Sequence, residues 1–219
     1  MFAGIKKALR NVIVLVVLFF LFVGFFKFRE FMLFRKIIHN LKAESRIAEV
    51  LVTDSSLDEY TRKYTTTIKF LEYGVNGKPL KAKFFTFKGN LIQFQTLVVR
   101  FDDKYIEEGH RMKGKSITLF LKAFVLDGKN TQEFLITHAE EVPDGYKIGS
   151  PPSTFEKQIW RRFWKYALDP SARKHIGIKN AQIEAPGSVF VPGTIYTLII
   201  EHDGGIRIDT RPIPEILKA

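Results

Sequence analysis

The feature that most constrains this chain is the apolar run Val12–Phe26, which reads VIVLVVLFFLFVGFF and contains no charged residue. As a helix, such a run is about 22 Å long, while the hydrocarbon core of a bilayer is about 30 Å thick. Basic side chains on both flanks can reach along the helix toward lipid headgroups. The run therefore predicts a transmembrane helix within residues 1–29 that lies in the lipid bilayer. The expected interface anchors are Lys7, Arg10, Lys27 and Arg29.

Two other interpretations also fit parts of this run. A cleaved signal peptide shares the basic and apolar regions, but KFREFMLFRK follows Phe26, where cleavage needs small residues. A buried helix of a soluble domain could also be apolar throughout. The basic residues before and after the run are nearly balanced, so the positive-inside rule is weak here. From the short basic N-terminal tail we expect a single-pass membrane protein whose C-terminal domain is extracytoplasmic.

The charge and the cysteine content exclude some classes of function. The chain of 219 residues has a net charge of +11, and residues 1–50 hold nine basic and three acidic side chains. The excess is thus concentrated around the predicted anchor, where anionic headgroups attract it. It is weak evidence for nucleic-acid binding, and we expect no nucleic-acid partner. The absence of cysteine excludes disulfides and thiolate metal sites.

Residues 30–53 are predicted to form a helical stalk. Apolar and small residues recur there at alternating spacings of three and four, which is typical of a helical seam. The seam is formed by Phe31, Phe34, Ile38, Leu41, Ser45, Ala48 and Val52. One interpretation is a short coiled coil that pairs two copies of the chain as a homodimer. The other is a single amphipathic helix that packs on the domain or lies along the membrane.

Residues 54–219 are predicted to form a β-rich globular domain of the α+β class. Segments rich in β-branched and aromatic residues alternate with turn residues, which favours a mainly antiparallel meander or small barrel. A C-terminal hairpin is expected where Thr194–Glu201 and Ile206–Asp209 flank His202-Asp203-Gly204-Gly205. The other predicted strands are Tyr64–Tyr73, Lys81–Lys88, Leu91–Phe101, Ser116–Leu126, Glu133–His138 and the short Val189–Val191.

A helical insertion is predicted at about residues 153–177, with Ser153 or Thr154 as its N-cap. Its first helix, FEKQIWRRFWK, combines tryptophan with arginine and lysine, a pairing that suits lipid headgroups, stacked ligands or a protein partner. The candidate binding residues are Trp160, Arg161, Trp164 and Lys165. The same pattern also describes a structural helix with two large core residues and a solvated rim.

No pattern in the chain predicts a catalytic, cofactor or metal site. The carboxylates at 102, 103, 107 and 108 do not have the spacing of an EF-hand loop, and the five histidines are scattered. Residues 109–116 satisfy the bare phosphate-loop pattern and end in Gly-Lys-Ser. A phosphate loop leads into a helix, whereas Ser116 opens an apolar segment with strand character. We therefore expect no cofactor, and we interpret these residues as a chance match.

The sequence favours a non-catalytic accessory or scaffold protein that is anchored in the membrane and binds another membrane or envelope protein. The alternative is an envelope module that binds a lipid or glycan in a cavity of the β domain, lined by some of the 21 phenylalanines. An open apolar cavity would favour the module, and a filled core would favour the scaffold. A membrane-tethered enzyme is a third and weaker interpretation.

Overall fold

The computed structural model describes residues 2–39, 45–60, 62–74, 77–101, 116–127, 130–173, 178–201 and 205–217. The chain divides into two compact units, Met1–Ile38 and His39–Ala219. The first unit contains all but the last residue of the helix α1, Phe2–His39, in which the side chains of residues 11–26 are exposed. The second unit contains all the strands described below.

The structure contradicts the predicted membrane anchor. Within the described ranges, no helix is both long enough and apolar enough to cross a membrane. The physical reason is length, because the uncharged run has about fifteen residues and a spanning helix needs about twenty. The single-pass membrane localisation is therefore corrected, and the extracytoplasmic placement that followed from it loses its basis. The interface roles expected of Lys7, Arg10, Lys27 and Arg29 depended on that span.

The predicted stalk is helical in its first part and extended in its second part. α1 ends at His39, and a strand, β1, runs from Ser45 to Asp58. Ala48, Val50 and Val52 are buried, while Glu49 and Leu51 between them are half-buried. This alternation has the period of two that a strand with one core face requires. Leu41, in the middle of the predicted seam, lies outside the described residues, and pairing of two copies through α1 stays a prediction.

The second unit confirms the predicted α+β class with mostly antiparallel sheets. In its described part, ten strands are accompanied by two α-helices, α2 and α3, and by short 3₁₀ turns at Asp144–Tyr146 and Glu215–Leu217. The helices are α2, Thr154–Leu168, and α3, Pro170–Arg173. The remaining strands are β2, Lys63–Glu72; β3, Lys83–Lys88; β4, Leu91–Phe101; β5, Ser116–Asp127; β6, Asn130–Leu135; β7, Ile178–Glu184; β8, Gly187–Val189; β9, Thr194–Ile200; and β10, Ile206–Pro212.

The strands form two sheets rather than a single meander or barrel. The first sheet has the order β10-β9-β1-β2-β3, and the second has the order β6-β5-β4-β7, with β8 also paired to β4. Every pairing between these strands is antiparallel. The predicted C-terminal hairpin is confirmed as β9 and β10. Its strand β9 pairs with β1, which therefore lies at the centre of the first sheet.

The core lies between the two sheets and is rich in phenylalanine. The ring of Phe70 on β2 stacks on Phe94 of β4 with centroids 5.2 Å apart, and it meets Phe120 of β5 edge-on at 5.1 Å. Phe94 also meets Phe190 edge-on at 6.0 Å, just after β8. Aromatic pairs in these arrangements stabilise a core beyond the area that they bury. The contacts of Phe70 join strands of different sheets and so hold the two layers together.

Parts of β4 and β5 are buried on both faces. Leu97 is paired with Leu119 and Val99 with Ile117, and all four side chains are buried along with neighbours that point to the other face. A strand buried on both faces needs a covering layer on each side. α2 supplies the second layer. It contacts β7 directly, and it reaches β5 through Tyr146. The ring of Tyr146 meets Trp160 of α2, and its hydroxyl donates a hydrogen bond to the carbonyl of Thr118 on β5.

Two adjacent phenylalanines of β3 provide a test of this architecture. Phe85 is 5% exposed and its ring contacts Phe70 and Phe134, whereas Phe84 is 61% exposed on the other face. We expect Phe85→Ala to lower the free energy of unfolding by about 3–5 kcal/mol, because it leaves a cavity in the aromatic core. Phe84→Ala should change it by about 0.5 kcal/mol or less. Urea denaturation of both variants measures the difference, and equal losses would contradict the assignment of faces.

Candidate functional site

α2 begins with a side-chain cap that the sequence predicted. The Ser153 hydroxyl accepts a hydrogen bond from the backbone N–H of Glu156 at 3.1 Å, which satisfies one free donor of the first turn. The Glu156 carboxylate accepts a second hydrogen bond, at 2.9 Å, from the backbone N–H of Ile148. Glu156 is only 3% exposed. It therefore joins the start of α2 to the segment that precedes it.

The two sides of α2 differ sharply in character. Its buried side is apolar apart from Glu156, and the spacing of three and four residues along it is that of one helical face. The buried residues are Glu156, Ile159, Trp160, Phe163, Trp164 and Ala167. The charged side chains on the exposed side are all basic, namely Lys157, Arg161, Arg162 and Lys165. The helix therefore presents positive charge outward and aromatic surface inward.

The two tryptophan side chains lie in the core and not on the surface of α2. Each is 1% exposed. The Nε1–H of Trp164 donates to the carbonyl of Glu141 at 2.7 Å, and the ring of Trp160 meets Tyr146 and Phe163 at centroid distances of 5.3 and 5.0 Å. Within the described part of the chain, Nε1 of Trp160 has no hydrogen-bond partner. A partner that approached α2 from outside would meet Arg161 and Lys165, not the indoles.

Lys157, Arg161 and Lys165 form a basic stripe along the exposed side of α2. They follow one another at intervals of four residues, so each lies one helical turn from the next. Like charges at this spacing destabilise a helix by about 0.2–0.5 kcal/mol per pair. Among the described residues, none of the three forms an ion pair, although the carboxylate of Asp169 at the end of α2 attracts the charge of Lys165. Carboxylates of another molecule that bound at the stripe would therefore reduce the repulsion between its three basic side chains.

A second cluster, which the sequence did not predict, lies at one end of the space between the sheets. It consists of Glu72 at the end of β2, Lys83 at the start of β3, and Asp144 and Tyr146 from the 3₁₀ turn. Burial raises the pKa of the Glu72 carboxyl from 4.5 to about 7, the Lys83 ammonium lowers it, and the Asp144 carboxylate raises it further. Lys83 donates a hydrogen bond of 2.6 Å to the carbonyl of Ile136. Burial likewise raises the pKa of the Tyr146 phenol.

The alternation of inward- and outward-facing residues along β2 could have identified Glu72 as a candidate site residue from the sequence. Thr66, Ile68 and Phe70 are buried at alternate positions, and the half-buried Glu72 continues that series. A carboxyl at a core-facing position is an informative exception to the pattern, because charged residues are rarely buried without a partner. The same reasoning applies to Glu156, which occupies the buried face of α2 four residues before Trp160.

The other sequence candidates lie mostly beyond the described residues. The acidic loop 102–108 and residues 109–115 of the phosphate-loop pattern belong to this group, as do His110, His175 and His202. Ser116 begins the strand β5, so the helix that a phosphate loop requires does not follow it. In the portion of the chain that is described, no group of three or more His, Cys, Asp or Glu side chains could hold a metal ion.

Comparison with models of protein families, with characterised proteins and with solved structures found no significant match to this chain.

The two tryptophans provide a matched pair of variants. Trp→Phe removes similar volume at both positions, but at position 164 it also leaves the carbonyl of Glu141 without its donor. An unsatisfied buried polar group costs about 1–3 kcal/mol. We therefore expect Trp164→Phe to lower the free energy of unfolding by about 1–3 kcal/mol more than Trp160→Phe does. Urea denaturation monitored by circular dichroism measures the free energy of unfolding of both variants. A loss in Trp164→Phe that is equal to or smaller than the loss in Trp160→Phe would contradict the hydrogen bond.

The pKa of Glu72 predicts how stability depends on pH. Its folded-state pKa, about 7, lies above the unfolded value of 4.5, so the folded chain binds the proton more tightly. This contribution to stability is fully present below pH 4.5 and is lost as the pH rises to about 7. It amounts to about 3 kcal/mol at 1.36 kcal/mol per pKa unit. In urea denaturation between pH 4.5 and 7.5, Glu72→Gln should remove this fall in stability, and a wild-type slope in that variant would contradict the assignment.

Proposed function

We propose that this chain is a non-catalytic accessory protein whose β-rich domain binds an acidic protein partner through the basic stripe Lys157, Arg161 and Lys165. The observation that carries the proposal is the uniform sign of charge on the exposed side of α2. Three cations at one-turn intervals repel one another and lack ion-pair partners in the described chain. Carboxylates on a partner would relieve this repulsion, and charge complementarity of this kind raises both association rate and specificity.

The support beneath α2 makes the stripe a rigid surface. The capping bond from Ser153, the link from Glu156 to Ile148 and the bond from Trp164 to Glu141 all tie the helix to the domain. A binding surface on a supported helix keeps its geometry better than one on a loop. Binding then costs little ordering of the backbone, although the long basic side chains still lose rotamer freedom.

The alternative of a lipid- or glycan-binding cavity has less support. The phenylalanines that would line a cavity contact one another across the core instead, with Phe70 in contact with Phe85, Phe94 and Phe120. Rings at centroid distances of 5–6 Å occupy the space that a ligand would need. These contacts favour binding at the surface of the domain rather than inside it.

Reversal of the stripe charges tests the proposal. A photo-crosslinking amino acid at the exposed Gln158 should give an adduct with a protein whose contact surface is acidic. The triple variant Lys157→Glu, Arg161→Glu, Lys165→Glu should weaken binding of that partner at least tenfold. A loss of this size corresponds to about 1.4 kcal/mol. Higher salt should weaken wild-type binding in the same direction. Isothermal titration calorimetry with the identified partner measures both effects.

A control variant separates this stripe from net charge alone. Lys69→Glu, Lys81→Glu and Lys88→Glu change the net charge equally at exposed positions of the first sheet and its adjoining loop. The control should bind the partner with wild-type affinity. Equal losses in the two triple variants would reject the stripe as the binding surface. Crosslinks only to lipid or nucleic acid would reject a protein partner.

A further inference from the structure

β10 is an edge strand of the first sheet, and one of its faces is incompletely covered. The segment around β8 lies beneath the neighbouring strand β9, because the hydroxyl of Tyr196 donates to the carbonyl of Val189 and its ring contacts Phe190. β10 lies one strand further out. Its Ile206 and Ile208 pack on the core but remain half-exposed. A strand added at this edge would remove more of their apolar surface from water.

Hydrogen bonds at the two ends of the β9–β10 hairpin show which backbone groups of β10 face β9. The N–H of Glu201 donates to the carbonyl of Gly205 at 2.8 Å. At the other end, the N–H of Ile213 donates to the carbonyl of Gly193 at 2.8 Å. In an antiparallel pair, residues that bond to the neighbouring strand alternate with residues whose N–H and C=O point away from it. The odd-numbered residues of β10 therefore bond to β9.

The even-numbered residues of β10 point their backbone groups toward the free edge. Ile206, Ile208 and Thr210 each present an N–H and a C=O there, while Pro212 presents only a C=O. Within the described ranges, no other strand pairs with this edge. An edge with unpaired N–H and C=O groups is a template for one further strand.

The outer face of β10 carries charges of alternating sign. Arg207, Asp209 and Arg211 are exposed at every second position. Arg207 forms ion pairs with Asp209 of its own strand and with Glu201, and Arg211 forms one with Glu49. Opposite charges directly across a pair of strands stabilise the pair, and like charges destabilise it. The alternation therefore selects among the registers in which another strand could be added.

We propose that β10 pairs antiparallel with β10 of a second copy of this chain, about a two-fold axis at Ile208. In this register Ile208 lies opposite Ile208 and Ile206 lies opposite Thr210. Every outward N–H and C=O of these residues then gains a partner. Arg207 of each copy lies opposite Asp209 of the other, and a carboxylate accepts enough hydrogen bonds to retain its own Arg207 as well. The first sheets of the two copies become one continuous sheet.

Neighbouring registers lack this match. An axis at Arg207 or at Asp209 places each of those residues opposite a like charge. An axis at Thr210 places Ile208 opposite Pro212, which has no N–H to donate. The pairing at Ile208 uses the same surface on both copies, so it closes at a dimer. Because few residues pair, we expect the dimer to be weak and reversible.

This inference does not depend on the proposed acidic partner. β10 belongs to the first sheet and shares no residue with α2, whose basic stripe is the proposed binding surface. It also differs from the predicted pairing of two copies through residues 30–53, because it uses a different part of the chain.

Single cysteines on β10 test the pairing in the full chain, which has no cysteine of its own. Opposite Cα atoms of a hydrogen-bonded antiparallel pair are about 5.5 Å apart, and a disulfide joins Cα atoms about 4.4–6.8 Å apart. Ile208→Cys should therefore form a covalent dimer on oxidation, detected on a non-reducing gel. Thr210→Cys is the matched control. Its two copies would lie about 14 Å apart along the strands, so it should stay uncrosslinked.

A mixture of two variants tests the register. Ile206→Cys and Thr210→Cys should each fail to crosslink alone, and together they should form a covalent dimer. Association through α1 alone would not produce this dependence on position. Absence of a covalent dimer in Ile208→Cys, equal crosslinking in Thr210→Cys, or no crosslink in the mixture would each overturn the proposal.

A proline variant tests the backbone pairing without a change in the core. The N–H of Thr210 faces the free edge, so Thr210→Pro removes no bond to β9, and proline is tolerated at such edge positions. It should weaken dimerisation at least tenfold in sedimentation velocity, because each copy loses a donor and its ring meets the second strand. Thr210→Ala keeps the N–H and should dimerise like the wild type. Circular dichroism checks that both variants fold, and an unchanged dissociation constant in Thr210→Pro would reject the pairing.

Discussion

The aromatic contacts between the two sheets are the interaction on which the rest of this domain depends. Phe70 reaches from the first sheet to Phe94 and Phe120 of the second, and these rings fill the space where the layers face each other. The chain contains no cysteine, so the sheets are held together by packing of this kind and not by a disulfide. The end of the same layer is where the chain places a carboxyl and an ammonium, Glu72 and Lys83, in place of apolar side chains. The aromatic centre of the core and its polar end therefore lie in the same layer between the two sheets.

The helix α2 illustrates how one element separates support from recognition. Its indoles and Glu156 face inward, where hydrogen bonds to Glu141 and Ile148 hold the helix to the domain, so its cations point outward from a supported backbone. A tryptophan beside an arginine in sequence suggests a shared surface, but neighbours in a helix are about 100° apart around its axis. Trp160 and Arg161 thus belong to opposite environments. The proposed binding surface is defined by the basic residues alone.

Much of the secondary structure was predictable because its signals are local. Strand character in β2, β4, β5 and β9, the Ser153 cap of α2 and the extended conformation at Ser116 all follow from residue type and short spacing. The prediction differed from the structure at β1. Ala48 and Val52 are four residues apart, a spacing that fits a helical seam and also a strand whose alternate residues are buried. Burial of Val50 between them identifies the segment as a strand, and that burial follows from the pairing of β1 with β9 and β2. A strand is stabilised by pairing with segments that are distant in sequence, which local spacing does not reveal. Glu72 was missed for a related reason, since Gly145, which lies next to its carboxyl group, is far along the chain.

The sequence by itself determined the α+β class, most strand and helix positions and the basic composition of α2, because propensity, period and capping act over a few residues. It also suggested a membrane anchor that the described helices do not support. Only the tertiary structure decided that the strands form two stacked sheets, that the tryptophans are buried, and that Gly145 lies next to the carboxyl group of Glu72. Those facts depend on contacts between residues far apart in sequence, and such contacts form only where packing of the whole chain brings the segments together.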